Sequence, residues 1–234
     1  MDRLNRLNSR LFAQSCVRNP THIRHTWVGF RPLRTLGEGG TAMTEPSIPM
    51  PATFTADEAE RAGLSRRALR RMLDSGKVER IGHGLYRRMD AELVDTDLIE
   101  VAVKAPRATL CLLSALAKHD LTDIIPVAHD LAVPRGVWRP ATAAPVHWHQ
   151  FDPDTFDIGR TELRVDDEHV VGLYDAPRSI IDAFRLRHDI GADVAHETLR
   201  RWLRRGGSPA DLMRLTRAFP KAHGAVLAAL QVLV

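Results

Sequence analysis

The chain has 234 residues, with 33 Lys and Arg against 29 Asp and Glu, a formal net charge of +4, and 44% hydrophobic residues. That length and mixture exclude wholesale disorder, fibrous repeats and a peptide too small for its own core. No run of 18 apolar residues is present, which excludes an obvious membrane-spanning helix, and the two cysteines, Cys16 and Cys111, are too few for a disulfide framework or a Cys-based metal site and suit a reducing cytoplasm.

Residues 1–42 hold seven Arg against two acids and show no sustained helical or strand period. They close on Gly-Glu-Gly-Gly, which reads as a linker. A continuous apolar segment behind a basic start is missing, so a secretory signal is disfavoured. Two readings stand: translation begins at Met43 and the stretch is non-native, which composition favours, or it is a basic arm or transit peptide. Residues 1–43 are therefore expected to be disordered or a non-native extension.

The informative segment is Phe54–Arg88, FTADEAERAGLSRRALRRMLDSGKVERIGHGLYRR. Thr55 and Glu58 have the spacing of a capping box, predicting a short helix from Ala56 to Ala62 that stops at Gly63. Ser65 is a good N-cap for a second helix ending at Ser75-Gly76, with Leu64 and Leu69 placed as a hydrophobic staple. On that helix Leu69, Met72 and Leu73 share one face, and Arg66, Arg67, Arg70 and Arg71 the opposite arc. Lys77–Ile81 reads as a strand, Gly82–Gly84 as its turn and Leu85–Arg88 as the return strand. Helix, tight turn, Arg-bearing helix and hairpin spell a winged helix-turn-helix.

From Ser65 to Arg88 there are eight basic residues and two acids, a local +6. A solvated basic face would explain charge alone; the order of cap, turn, helix and hairpin favours nucleic acid. Duplex DNA is preferred over RNA because the segment lacks an aromatic platform for unpaired bases, and Tyr86 is expected to pack the wing onto the helices. The candidate DNA contacts are Ser65, Arg66, Arg67, Arg70 and Arg71 on the helix, and Lys77, Arg80, His83, Arg87 and Arg88 on the hairpin. A winged helix normally has one more helix in front. Here TEPSIPMPA, with three prolines, opposes it. That helix is either absent or supplied from residues 1–42.

Residues 91–234 read as an α+β domain. Helices are expected at Thr96–Lys104 and Leu110–His119, with Cys111 a buried small hydrophobe. Strands follow at His129–Val133, Val146–Phe151, Thr161–Val165 and Val170–Leu173. The C-terminal end is helical: Asp175 caps a helix to about Arg187, another spans Asp193–Arg205, Ser208-Pro209 opens a third and Pro220 a last. His147 and His149 fall on one strand face as a possible metal pair, but no third ligand has diagnostic spacing and a polar strand face accounts for them with fewer requirements. No phosphate-binding loop, nucleophile elbow, zinc-protease or dinucleotide motif is present, and Asp120, Asp166, Asp167 and Asp182 form no recognisable acid pair. No catalytic residue, metal ligand or cofactor is expected.

In its residues, Phe54–Arg88 resembles the N-terminal domain of the AbiEi antitoxins of type IV toxin–antitoxin systems. The resemblance continues softly to about residue 205, through LCLLSALAKHDL, where Asp120 stands in place of a glycine after His119, then HDLAVPRG and YDAPRSIIDAF. It implies a repressor-antitoxin: a winged helix that binds double-stranded DNA in its own promoter, and a C-terminal domain that counters a nucleotidyltransferase-type toxin without itself being catalytic. The expected organisation is α+β, with an extension at 1–43, a winged helix-turn-helix at 44–90 and a mixed α/β antitoxin domain with a helical end at 91–234, in the cytoplasm and without membrane contact. Two other classes stay open, a DNA-tethered metal-dependent nuclease and a ligand-sensing regulator.

Overall fold

A computed structural model describes residues 50–233. The expected extension at 1–43, and any helix supplied from residues 1–42, lie outside the described residues. Strand β1 (Thr53–Thr55) leads directly into helix α1 (Ala56–Arg61), where the capping box forms as read: the Glu58 amide donates to the Thr55 hydroxyl at 3.2 Å and the Thr55 amide to the Glu58 carboxylate at 2.7 Å. The Thr55 amide, and then the Thr55 hydroxyl, hold the Glu58 carboxyl below its usual range. Thr55→Ala removes the hydroxyl that accepts the Glu58 amide and donates to the Glu58 carboxylate, and is expected to lower unfolding free energy by about 1 kcal/mol in urea melts, with Thr55→Ser recovering most of it. No loss on Thr55→Ala would show that the cap contributes nothing.

Gly63 stops α1 at a φ of +87°, and Ser65 caps helix α2 (Arg66–Asp74) by accepting the Ala68 amide at 3.2 Å. Strands β2 (Val78–Gly82) and β3 (Leu85–Arg88) close a two-residue turn at His83-Gly84, with a register shift between Arg80 and Gly82. β3 lies at the centre of a three-stranded antiparallel sheet in the order β1-β3-β2. β1 was not expected from the sequence. Phe54, Ala59, Leu69 and Val78 form a small core, and Met72, Leu73 and Leu64 pack against it. Tyr86 stacks on Phe54 at 6.0 Å, so its ring packs onto β1.

Helix α3 (Thr96–Lys104) follows, capped by Asp95, then β4 (Thr109–Leu110) and α4 (Leu112–Lys118). β4 is a second unexpected strand: Leu110, read as the first residue of a helix, instead joins the sheet, and α4 starts two residues later. Strands β5 (His129–Pro134) and β6 (Val146–Phe151), the short helix α5 (Pro153–Phe156), and strands β7 (Arg160–Arg164) and β8 (Val170–Tyr174) complete a mixed sheet in the order β6-β5-β4-β8-β7. β4 pairs parallel to β8 and antiparallel to β5, which places this two-residue strand at the centre. The chain then turns helical: α6 (Ala176–Arg185), α7 (Arg187–Ile190), α8 (Ala192–Arg204), α9 (Pro209–Leu215) and α10 (Pro220–Leu233). Caps at Asp175 and Ser208 stand where the sequence placed them. The protein is a mixed α+β fold with a helical C-terminal end.

Three cores serve this larger part, one of them formed by Cys111, Leu112, Ala132, Phe151, Phe156 and Tyr174. Leu98, Val101, Leu110, Leu131, Val133 and Val171 pack between α3 and the sheet. Ile180, Ile181, Phe184, Leu199, Leu212 and Val226 hold the helices to one another. Cys111 is fully buried, and burial pushes its thiol up, as fits a packing residue. Asp120 adopts a φ of +53°, the left-handed region that favours glycine and that Asp tolerates better than most residues.

Candidate nucleic-acid interface

The ten residues singled out from the sequence divide into two groups. Ser65, Arg66, Arg67, Arg70 and Arg71 are exposed on α2, and among the described residues none of the four guanidiniums forms an ion pair. At 3.6 residues per turn they fall within about 140° of arc, away from Leu69 and Met72, which face the core. Lys77, Arg80 and His83 are also exposed, on the segment that leaves α2 and along the hairpin. Arg80 donates to the Gly82 carbonyl at 3.0 Å and lies 3.1 Å from Nδ1 of His83, which fixes its head at the turn.

The other two differ from expectation. Arg87 is only 3% exposed and donates to the Thr53 hydroxyl (2.7 Å), the Glu92 carbonyl (2.8 Å) and the Asp166 carboxylate (3.1 Å). Buried and so occupied, it is not placed to meet a phosphate. Arg88 is half-exposed but pairs with both oxygens of Asp90 at 2.8 and 2.6 Å and donates to the Met50 carbonyl, bonds that hold its head against the protein. The sequence carries the signal that separates them. Along β3, alternation places Arg87 on the same face as buried Leu85.

Arg87 instead joins the small sheet to the turn between β7 and β8, where Asp166 sits. Burial pushes the Asp166 carboxyl up, but the His169 ring at 2.8 Å and the amides of Glu168 and His169 outweigh it and hold the group below its usual range. A depressed carboxyl contributes stability above its unfolded value that is lost as pH falls through its folded one. The latch is therefore expected to be intact at neutral pH and to release only below the ordinary carboxylate range. Asp166→Asn should cost about 2 kcal/mol at neutral pH and flatten this acid limb in denaturation curves. An unchanged limb would assign the acid sensitivity elsewhere.

The remaining polar clusters are held by hydrogen bonds and ion pairs, with Arg178 Nη2 and Asp182 Oδ1 left without a hydrogen-bond partner. His147 and His149 do share a strand face, and both approach Asp130, at 3.8 and 2.9 Å. Asp182 is fully buried between Arg178 (2.9 Å) and Arg185 (3.1 Å). Glu100, also buried, accepts the Ala143 and Ala144 amides and pairs with Lys104. Among the described residues, Asp95, Asp97 and His129 are the one group of three with ligand atoms within 4.8 Å of one another. Two of the three are acids close to the solvent, and Asp95 already serves as the α3 cap.

Residues 52–88 match the model of a family described as "Transcriptional regulator, AbiEi antitoxin". The match starts beside β1 and ends on the last residue of β3, so it spans the three-stranded sheet and both helices and includes all ten candidate contacts. The AbiEi resemblance read from the sequence is thus shown over these residues. No curated protein matches the chain. Among the described residues no helix is long and apolar enough to cross a membrane.

Proposed function

We propose that the protein is a DNA-binding transcriptional autorepressor and the antitoxin of a type IV pair. In this reading residues 44–90 act as a winged helix-turn-helix. α2 enters the major groove with Arg66, Arg67, Arg70 and Arg71, Ser65 sits at its leading end, and Lys77, Arg80 and His83 meet the backbone from the hairpin. Residues 91–234 are the antitoxin domain, which counters a nucleotidyltransferase-like toxin in the cytoplasm. The observation that carries the reading is four exposed guanidiniums without ion pairs among the described residues, on one arc of a helix inside a segment that matches a transcriptional-regulator family. Arg87 and Arg88 are left out of the contact set.

A non-enzymatic role is part of the proposal. The nuclease reading needs carboxylates open to metal and water; of the four Asp residues considered from the sequence, Asp182 lies sealed between two guanidiniums and Asp166 is held by Arg87 and His169. Two measurements test the function. The full chain should shift a duplex taken from upstream of its own coding region at lower concentration than an unrelated duplex. Co-expression should relieve growth arrest by a nucleotidyltransferase encoded next to it. Equal affinity for both duplexes removes the autorepressor; unrelieved arrest removes the antitoxin.

A further inference from the structure

A cavity of about 570 Å³ opens between β6, α6 and the start of α10, within the size range of small-molecule sites. Its wall carries Arg135, Arg185, Lys221 and His149. The carboxylate beside them, Asp152, caps α5 and accepts the Asp154 amide at 3.0 Å. Lys221 stands in the first turn of the 14-residue α10, where the helix dipole adds positive potential.

The floor supplies an independent observation. Phe151 and Phe219 line the cavity, and Arg185 lies over the Phe151 ring at 4.4 Å. Beneath them Arg178, with no exposed surface, is packed between Phe219 at 4.4 Å and Tyr174 at 4.2 Å. Its Nε donates to Asp182, and one terminal nitrogen donates to the Thr155 and Ile158 carbonyls at 2.7 and 2.6 Å. The other, Nη2, is buried without a hydrogen-bond partner, as is Oδ1 of Asp182, which Arg185 approaches at 3.1 Å. Two guanidiniums thus share the single carboxylate of Asp182, leaving excess positive charge under a cavity whose mouth adds two more cations. Such an excess in a poorly solvated place favours an anion.

We infer that this cavity binds a phosphorylated small molecule, its phosphate held by Arg135, Arg185 and Lys221. A phosphate offers the multiple acceptor oxygens that such a cluster can engage at once, and the volume leaves room for a body of nucleoside size. The inference gives the C-terminal part an effector site and does not rest on the DNA-binding proposal.

The test is calorimetric titration of the full chain with inorganic phosphate, adenosine and guanosine 5′-monophosphates, and the two unphosphorylated nucleosides. Saturable binding of at least one monophosphate or of phosphate, with no binding of the nucleosides, is the expected result. The double variant Arg135→Ser with Lys221→Gln alters two exposed residues and should melt like wild type while weakening that binding about tenfold or more. Arg139→Ser, outside the cavity, should change nothing. Silence from every phosphate probe, nucleosides that bind as well as their monophosphates, or a double variant that binds like wild type would each overturn the assignment. A protein that shifts its own upstream duplex yet binds none of the probes would overturn this inference alone.

Discussion

Arg178→Met is expected to destabilise the protein by about 3–5 kcal/mol, because it leaves the carboxylate of Asp182 buried without its nearest cation. Neither residue has exposed surface, and Arg178 also donates to the Thr155 and Ile158 carbonyls, which would lose that donor. The reciprocal change should cost less. Burial pushes the Asp182 carboxyl up even though Arg178 and Arg185 pull it down, so its charged form is already penalised in the fold. A group raised in this way favours the fold more at pH below its unfolded value and less as pH rises through its folded one. Asp182→Asn removes the penalised charge and keeps a polar group beside both guanidiniums. Urea denaturation at neutral pH should therefore rank Arg178→Met well below Asp182→Asn. Equal losses, or a loss under about 1 kcal/mol for Arg178→Met, would mean that the pair is not the structural centre of the helical end.

The second large effect concerns DNA. Each of Arg66→Ala, Arg67→Ala, Arg70→Ala and Arg71→Ala should leave stability within about 0.5 kcal/mol of wild type, because these side chains are exposed and outside the small core. Binding should respond differently. A lost base contact costs about 1–3 kcal/mol and relaxes specificity at one position, whereas a lost phosphate contact weakens all sequences alike and lowers the salt slope by about 1. Arg87→Ala should show the opposite pattern, a loss of stability with the salt slope retained at temperatures where the variant remains folded. Its head is spent on Thr53, Glu92 and Asp166. Arg88→Ala, whose partner is Asp90, should fall between the two classes.

What the sequence disclosed follows from how local each signal is. The caps at Thr55, Ser65, Asp175 and Ser208 are side-chain-to-backbone bonds over three residues, so composition and spacing reveal them without tertiary context. The four longer strands of the large sheet and the C-terminal helices announce themselves by period and punctuation. β1 and β4 do not, because strands of three and two residues have no period to read and exist through pairing with β3, and with β5 and β8. The α2 arginines could be placed on an outward arc because helical geometry fixes them opposite Leu69. Arg87 was assigned by charge, although strand alternation groups it with Leu85; its partner Asp166 lies 79 positions away, beyond any spacing rule. The basic cavity was invisible for the same reason, since Arg135, Phe151, Arg185 and Lys221 meet only once the sheet and helices have packed.

The central claim is that α2 presents the DNA-reading surface, and the salt dependence of binding tests it most directly. Affinity of the full chain for its own upstream duplex would be followed from low to physiological salt for wild type, the four α2 variants and Arg87→Ala. The expected result is a steep loss of affinity with salt, with at least two α2 variants either lowering the slope by about 1 or losing about 1–3 kcal/mol at fixed salt, and a slope for Arg87→Ala like that of wild type. Four α2 variants that bind as tightly as wild type, with the same slope, would contradict it.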